Sequence, residues 1–433
     1  EFTPGPASAL YGPNAFSGIL NVYTKDPFQY PGLSASVRMG VNHLDRIDTT
    51  PQPLYDVSLR YAKAWNNRFG VKIYANIFDA HDWVAGDITD HGIYAGAVGR
   101  YSIPGSQNPG YDAVNRYGDE ARIAPATVRN IAMGIGPLLG GGMPRDTNDL
   151  DFYLARTGYW EKEMIRYNAR VIKGTLGAYY RLTDKLQLSY QAFASSGATV
   201  YQGVNRYSVR EFLFTTHKVE LAGPNYKLWA YGAWEDAGNS FDSRFAALNM
   251  LNLAKTHNAW MVQYVLTYTG QMRRIAQNLG LDPDALGIPE GGDHAAARAF
   301  ADSDRANAIA QQMSRAGYPD FIIPLFQGEA RPEPGSPRFN ELKSRVVSQP
   351  NFAQGGARFF DKSSFYHVEG QYDFSRQVRF AQILVGGNFR YYLMNSRGTI
   401  FSDTAGPIGV WEGGGFVQAS RAFWQERVRL LGS

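Results

Sequence analysis

The side chains that most often carry out chemistry in proteins are sparse and widely spaced in this sequence. The seven histidines are dispersed, and no two have the spacing of metal ligands. Glu235 and Asp236 are adjacent, but neighbouring residues of a strand point to opposite faces, so these carboxylates are unsuited to flanking one glycosidic bond. The absence of cysteine excludes a thiol catalyst, a disulfide framework and a cysteine-ligated zinc module. We therefore expect neither an enzyme nor a cofactor.

One group of oxygen-bearing side chains has the composition of a calcium site. Its members are Asp146, Asn148, Asp149 and Asp151. Because the spacing lacks the glycine and the terminal glutamate of an EF-hand, a solvated acidic loop is the favoured interpretation and calcium binding the weaker one.

Composition narrows the class of protein. Of the 433 residues, 44% are hydrophobic, 14% aromatic and 19% charged, which argues against a disordered chain. The net charge of +4 comes from scattered basic residues, so no nucleic-acid partner is expected. No stretch approaches the ~20 apolar residues of a membrane helix. A membrane β-barrel stays possible because its apolar residues occupy alternate positions.

Alternation with a period of two is the dominant pattern. After Gly32 the apolar residues are Leu33, Ala35, Val37, Met39 and Val41, with small or polar residues between them. Comparable runs occur near 57–61, 69–77, 172–182, 186–192, 211–221, 227–235, 364–374, 380–394 and 411–423, and another begins at Arg429. These roughly ten predicted strands are longer than the ~5 to 6 residues usual for strands in soluble sheets. Strands of ~9 to 11 residues cross a bilayer when tilted.

The connections between these runs alternate between short and long. Short ones are predicted at 66–68, 183–184, 223–225, 375–377 and 424–426. Long ones are predicted at 45–54, 84–166, 202–208, 239–362 and 396–408. In an antiparallel meander this places the tight turns at one end and the long loops at the other, as in outer-membrane barrels.

Two of the long connections, 84–166 and 239–362, are nearly domain-sized. The second carries helix signals, with Asp242 and Ser243 as a cap and a polar-spaced, alanine-rich run at 295–313. We interpret both as ordered external loops over a pore, and the alternative is a separate soluble domain.

The first segment carries a family resemblance. Its residues Gly5, Pro6, Ala7, Ser8, Leu10, Tyr11, Gly12, Gly18, Asn21, Thr24 and Lys25 follow one another in a characteristic order and spacing. This segment resembles the end of the plug domain in TonB-dependent outer-membrane receptors. That family commonly has arginine before the Gly-Pro pair, where this chain has Pro4.

A second resemblance lies downstream, in segments 366–372, 385–392, 395–401, 415–420 and 427–430. These look like barrel strands of the Bacteroidota branch of the same receptors. The resemblance implies an all-β fold, a transmembrane antiparallel β-barrel of about 22 strands with roughly the first ten or eleven in this chain. Residues 1–31 would then be the C-terminal end of the plug domain and residues 32–433 the N-terminal part of the barrel, in a partial chain.

The function that the resemblance implies is active import of a nutrient across the outer membrane of a Gram-negative, Bacteroidota-like bacterium. The implied partners are outer-membrane lipids and TonB with ExbB and ExbD, and some relatives carry a surface lipoprotein lid. The resemblance does not identify the nutrient, because importers of siderophores, cobalamin, glycans and peptides share this architecture. Two alternatives are a passive porin or structural barrel, and a soluble all-β carbohydrate-binding protein or enzyme.

Four residues are candidates for ligand contact. Trp160 and Trp260 lie in or beside the long loops. Trp234 is expected to face the lumen with Glu235 near the rim, on the opposite face from Trp229, which is assigned to an interfacial aromatic girdle.

Overall fold

The structure is a computed structural model that describes residues 2–4, 18–20, 22, 24–46, 49–91, 108–144, 148–203, 205–350, 355–378, 380–423 and 428–432. Its largest element is an antiparallel sheet in which the strands pair in chain order, as a meander. The strands of this path are β1 (Gly32–Asn42), β2 (Gln52–Trp65), β3 (Phe69–His81), β4 (Asn168–Thr183), β5 (Leu186–Gln202), β6 (Arg206–Ala222), β7 (Tyr226–Asp236), β8 (Ser364–Asp373), β9 (Gln382–Met394), β10 (Ile408–Phe423) and β11 (Val428–Gly432).

Three short strand pairs accompany this sheet. Phe2–Pro4 pairs with Gly18–Leu20, and Arg116–Tyr117 pairs with Tyr159–Trp160. Phe241–Asp242 pairs with the start of β6.

The turns agree with the sequence prediction at most positions. Asn66 and Asn67 have φ of 49° and 51°, the left-handed conformation of a tight hairpin turn, between β2 and β3. The connection predicted to be long at 202–208 is short, because β5 and β6 continue to Gln202 and from Arg206. The turn predicted at 424–426 lies outside the described residues. Short and long connections therefore do not alternate strictly.

The sheet has one apolar and one polar face. The register aligns Val37 with Val57, Val57 with Ile77, and Ile77 with Ile172. These four side chains are 64%, 43%, 51% and 52% exposed. The opposite face carries the corresponding row Ser36, Ser58, Asn76 and Lys173. Long rows of exposed apolar side chains are costly in water and typical of a wall that contacts lipid.

The sheet is open in the part of the chain that the structure describes. β1 and β11 are the two ends of the strand path, and each pairs with one neighbour within it. Neither a closed barrel nor a total of about 22 strands is present among these residues.

Residues 24–30 lie against the polar face near the tight-turn end of β2, β3 and β4. Lys72 Nζ donates to Thr24 Oγ1 at 2.9 Å and to the Lys25 carbonyl at 3.2 Å. The Arg181 guanidinium lies 4.0 Å from the Phe28 ring centroid. A Cβ at Gly70 would meet Pro27 Cγ at 2.9 Å, so glycine permits this close approach. The segment is thus held by polar contacts and by close packing.

The helices lie in the two longest connections. They are α1 (Pro125–Asn130), a π-helical turn (Ile131–Ile135), α2 (Gly136–Leu138), α3 (Glu161–Met164), α4 (Ser243–Ala254), α5 (His257–Tyr268), α6 (Gln271–Asn278), α7 (His294–Ala301), α8 (Asn307–Arg315) and α9 (Pro337–Ser348), with 3₁₀ turns at Asn148–Leu150 and Ile323–Phe326. Among the described residues, none of these helices combines the length and the apolar character needed to span a membrane.

Candidate functional site

The two long connections form one helical unit over the loop end of the sheet. We call the described residues of 82–167 and 237–363 the roof. One hydrophobic core joins Val128, Ile131 and Leu154 of the first connection to Val265 and Met272 of the second. Because each connection supplies part of this core, neither is an independent domain. The two connections therefore fold together around one shared core.

Trp260 lies inside this core and not on a ligand-facing surface. Its side chain is 0% exposed, and its indole N–H donates to Asp302 Oδ1 at 2.7 Å. The guanidinium groups of Arg156 and Arg298 lie 5.7 Å and 5.8 Å from its ring. Trp260 therefore stabilises the roof, and direct contact with a ligand would require the core to open.

Trp160 is only partly buried, in the short strand that pairs with Arg116–Tyr117. The Arg116 guanidinium lies 5.5 Å from its ring centroid. Its backbone N–H donates to Glu163 Oε2 at 2.9 Å, which fixes the start of α3. Trp160 stays a candidate for ligand contact in the roof.

A buried ion pair attaches the roof to the sheet. Glu161 is 0% exposed and accepts from Nη2 of Arg206, at the start of β6, at 2.9 Å. The hydroxyl groups of Tyr117 and Tyr167 donate to its carboxylate at 2.5 Å and 3.0 Å. The ring of Trp83 lies 5.0 Å from the Arg206 guanidinium. This cluster is not evident from the sequence, because its members are far apart in the chain and only the fold brings them together.

The calcium candidate is not assembled in the described part of the chain. Asp146 lies outside the described residues, and Asn148 is described only in its backbone. Asp149 accepts a hydrogen bond from the hydroxyl of Tyr268, and Asp151 pairs with Arg129 at 3.1 Å. No group of three or more potential ligands there is arranged to hold a metal ion.

The sheet places Trp234 and Glu235 on opposite faces, and the predicted assignment of the faces is wrong. Leu228 and Trp234 share the apolar face, where the ring of Trp234 packs against Tyr366 at 5.7 Å. Trp229 lies on the polar face, with Lys227 Nζ 5.1 Å from its ring. The aromatic character of Trp229 suggested a lipid interface, but its cross-strand neighbours are charged. Glu235 therefore faces the polar side without Trp234.

A cavity of about 460 Å³ opens on the polar face beneath the long connections. Across neighbouring strands, Glu235 is paired in register with Phe214, and Phe365 with Tyr392. The rings of Phe365 and Tyr392 lie 4.7 Å apart. Phe401, from the connection between β9 and β10, adds another wall. Of the predicted ligand contacts, Trp234 and Glu235 border this cavity, while Trp160 and Trp260 lie in the roof.

The aromatic walls are not evident from the sequence. Phe214, Phe365 and Tyr392 lie in separate strands, and only the register brings them together on the sheet. The sequence does contain one signal. Each of these residues stands at a position that the alternation assigns to the polar face, where a large aromatic ring is unexpected.

Most of the plug-like motif cannot be placed. Gly5, Pro6, Ala7, Ser8, Leu10, Tyr11, Gly12 and Asn21 lie outside the described residues. Gly18 has a φ of 142° and pairs with Pro4 in the short two-stranded sheet. Thr24 and Lys25 both accept hydrogen bonds from Lys72 on the polar face.

Two adjacent carboxyl groups in the roof have raised pKa values. Burial raises the pKa of Asp119 to about 7, against the opposing charge of Arg116. Burial and the charge of Asp119 raise the pKa of Glu120 to about 8. Both groups hold protons in the folded state over a pH range where the unfolded chain has lost them. Their contribution to stability therefore falls as pH rises towards 8.

We expect the free energy of unfolding of the roof to fall by about 2 kcal/mol between pH ~6.5 and pH ~8. The pKa of His294, which burial lowers to about 4, opposes this trend only below its unfolded value of about 6.5. Burial lowers the pKa values of Lys255 and Lys343 to about 8, and these groups oppose the trend only near pH 8 and above. Proteolysis of the roof in graded urea at fixed pH measures the effect. The double variant Asp119→Asn/Glu120→Gln should flatten it, whereas Glu341→Gln, at an exposed position, should preserve it. Stability rising with pH in this range would contradict the assignment.

Comparison with known proteins gives weak structural likenesses. No protein-family model and no curated protein matches the chain. A mutant of the ferric enterobactin receptor PfeA from Pseudomonas aeruginosa is similar at 12% identity and a TM-score of 0.39, over 97% of this chain and 40% of that chain. The ferric-catecholate import receptor Fiu from E. coli K12 is similar at 11% identity and a TM-score of 0.35, over 97% and 56%. The chain thus spans less than two thirds of either protein, and likenesses this low carry no argument about its function.

Proposed function

We propose that this chain belongs to a TonB-dependent outer-membrane receptor, which binds a nutrient at its external face and imports it actively through a plugged β-barrel. The observation that carries the proposal is the two-faced meander, with exposed apolar rows on one side and a polar wall on the other. Long strands with this division fit a bilayer-spanning wall around an aqueous lumen. The segment resemblance at 5–25 and at 385–401 supports the same family and its Bacteroidota branch.

The contact of residues 24–30 with the polar face favours a plugged barrel over a passive porin. Lys72 and Arg60 both bind backbone carbonyls of this segment. A porin leaves its lumen wall free for water and solutes. In the proposed receptor, residues 1–31 close the plug and residues 32–433 form the first part of the barrel.

The outer edges of β1 and β11 have no strand partner among the described residues. An unpaired strand edge is unfavourable in a bilayer, because no water is present to bond its backbone groups. In the proposed receptor, a wall of about 22 strands would give both edges a neighbour.

TonB, ExbB and ExbD are proposed partners, with a surface lipoprotein lid as a further one. In the native host, cells that lack TonB should accumulate less of the nutrient taken up through this protein. Equal accumulation with and without TonB would contradict active import.

The membrane proposal is tested most directly by labelling alternate residues. The chain has no cysteine, so each single cysteine substitution can be labelled with one environment-sensitive fluorophore. With the protein in bilayers, labels at Val57 and Ile77 should be quenched by lipids brominated in their acyl chains. Labels at Ser36 and Ser58, which lie on the polar face, should be quenched by aqueous iodide instead. Equal iodide quenching of all four labels would favour the soluble all-β alternative.

Conductance distinguishes the plugged receptor from the porin. The protein purified from outer membranes should conduct few ions across a planar bilayer, and deletion of residues 1–31 should increase the conductance. Steady high conductance of the intact protein would favour the passive porin.

A further inference from the structure

The cavity on the polar face has walls suited to a flat apolar group. Phe365 lies between two aromatic neighbours, with ring centroids 5.6 Å from Tyr231 and 4.7 Å from Tyr392. Phe214, Met394 and Phe401 complete the apolar lining. Aromatic faces attract organic cations as well as apolar groups, because the face of each ring carries partial negative charge.

The charged groups at the cavity are acidic. Glu235 lines it, and Asp361 lies in the adjacent backbone segment, where its carbonyl accepts from the Ala237 N–H at 2.9 Å. Neighbouring carboxyl groups keep at least one negative charge between them, because the repulsion of like charges opposes only the second ionisation. None of the residues that line the cavity in the described part of the chain is Lys or Arg.

The cationic side chains of the neighbouring segments contact other groups. Arg358 donates to the Gly238 carbonyl at 2.7 Å, and the Arg397 guanidinium lies over the Phe360 ring at 4.0 Å. Lys362 Nζ lies 3.0 Å from Asp236, whose position in β7 faces the apolar side of the sheet. Arg390 Nη1 lies 3.4 Å from Glu412, which also accepts from the hydroxyl of Tyr392 at 2.6 Å. These pairs leave the Glu235–Asp361 charge without a cationic partner among the residues that line the cavity.

The wall opposite the sheet is held in place before any ligand arrives. Phe401 lies in a turn organised by Asp403, which accepts from Ser396 Oγ at 2.7 Å and from the Gly398 N–H at 2.6 Å. Thr399 Oγ1 donates to the Phe360 carbonyl at 2.7 Å and ties this turn to the segment that carries Asp361. A rigid wall reduces the entropy lost on binding.

We propose that this cavity binds an organic cation, an amine attached to a flat apolar or aromatic body, and discriminates against anions of the same shape. The aromatic walls hold the body of the ligand, and the carboxyl pair neutralises its ammonium group. The inference deepens the proposed function, on which it rests for its biological meaning, by giving the charge class of the nutrient.

Three probes with one ring and different charges test this inference. They are 2-phenylethylamine, 2-phenylethanol and phenylacetate, titrated calorimetrically into the detergent-solubilised protein. We expect the amine to bind about tenfold more tightly than phenylacetate, with the alcohol between them. Equal affinity for amine and phenylacetate, or no binding of the amine, would overturn the proposal.

Variants locate the source of the discrimination. The double variant Glu235→Gln/Asp361→Asn should lose the preference for the amine while binding the alcohol within about twofold of the parent protein. Phe401→Leu should weaken all three probes, and Glu369→Gln, which faces the same side of the sheet beside His367, should change none. A preference that survives in the double variant would place the recognition elsewhere. Because binding is measured without a membrane or TonB, its failure leaves the transport proposal separately testable.

Discussion

Replacing Glu161 with alanine is expected to lower the free energy of unfolding of the roof by about 3 to 5 kcal/mol. The substitution removes the carboxylate that binds Arg206 at 2.9 Å and leaves that guanidinium buried, at 6% exposure, without its counter-charge. It also removes the acceptor of the Tyr117 and Tyr167 hydroxyl groups. Urea unfolding followed by proteolysis of the roof measures the loss, while the strands should stay resistant.

The control is an ion pair of similar geometry at the surface. Glu329 binds Arg338 through two hydrogen bonds of 2.6 Å and 2.7 Å but is about half exposed. Glu329→Ala should therefore cost less than about 1 kcal/mol. The double variant Glu161→Ala/Arg206→Ala should be less destabilised than the sum of its single variants. A loss at Glu161 no larger than that at Glu329 would show that the buried cluster does not attach the roof.

Replacing Ile77 with arginine is expected to destabilise the protein in a bilayer by about 2 to 4 kcal/mol. Ile77 lies on the apolar face between Val57 and Ile172 in the strand register, and it is 51% exposed. In the proposed barrel this exposure is to acyl chains, where a guanidinium loses its hydration. Reversible urea unfolding in phospholipid vesicles measures the difference.

Thr175→Arg provides the comparison, because it introduces the same side chain into the next strand on the opposite face. Thr175 is paired in register with Tyr74, whose position lies on the polar face. We expect this variant to lose less than about 1 kcal/mol. Similar losses for both variants would argue that the apolar face does not contact lipid.

The strands of the sheet are predictable because their two faces meet different environments. Val57, Leu59 and Tyr61 alternate with polar residues, and β2 extends through all of them. Helix α4 is likewise anticipated, since Asp242 is its N-cap and accepts from the N–H groups of Arg244 and Phe245.

Helix α5 escapes prediction for a physical reason. Its buried side chains, from Ala259 to Tyr268, surround the helix instead of forming one apolar stripe. The sequence therefore has no amphipathic period to mark it. The cavity escapes prediction as well, because the contact between Phe365 and Tyr392 depends on the register of β8 with β9.

The faces of Trp229 and Trp234 show where residue type alone misleads. Both are large aromatic residues near strand ends, and each type occurs at lipid interfaces and at ligand sites. Their assignment depends on cross-strand neighbours, which for Trp229 are Glu220 and Glu369. Charge on adjacent strands, and not aromatic character, identifies the polar wall.

The shared core of the roof also sets an order of assembly. Val128 and Leu154 pack in one cluster with Val265 and Met272, which come much later in the chain. During synthesis the first connection emerges before the second, and it has no complete core of its own. Contacts between distant parts of a chain form slowly, because closing the intervening loop costs entropy. The first connection therefore reaches its folded form only when the second is available to complete the shared core.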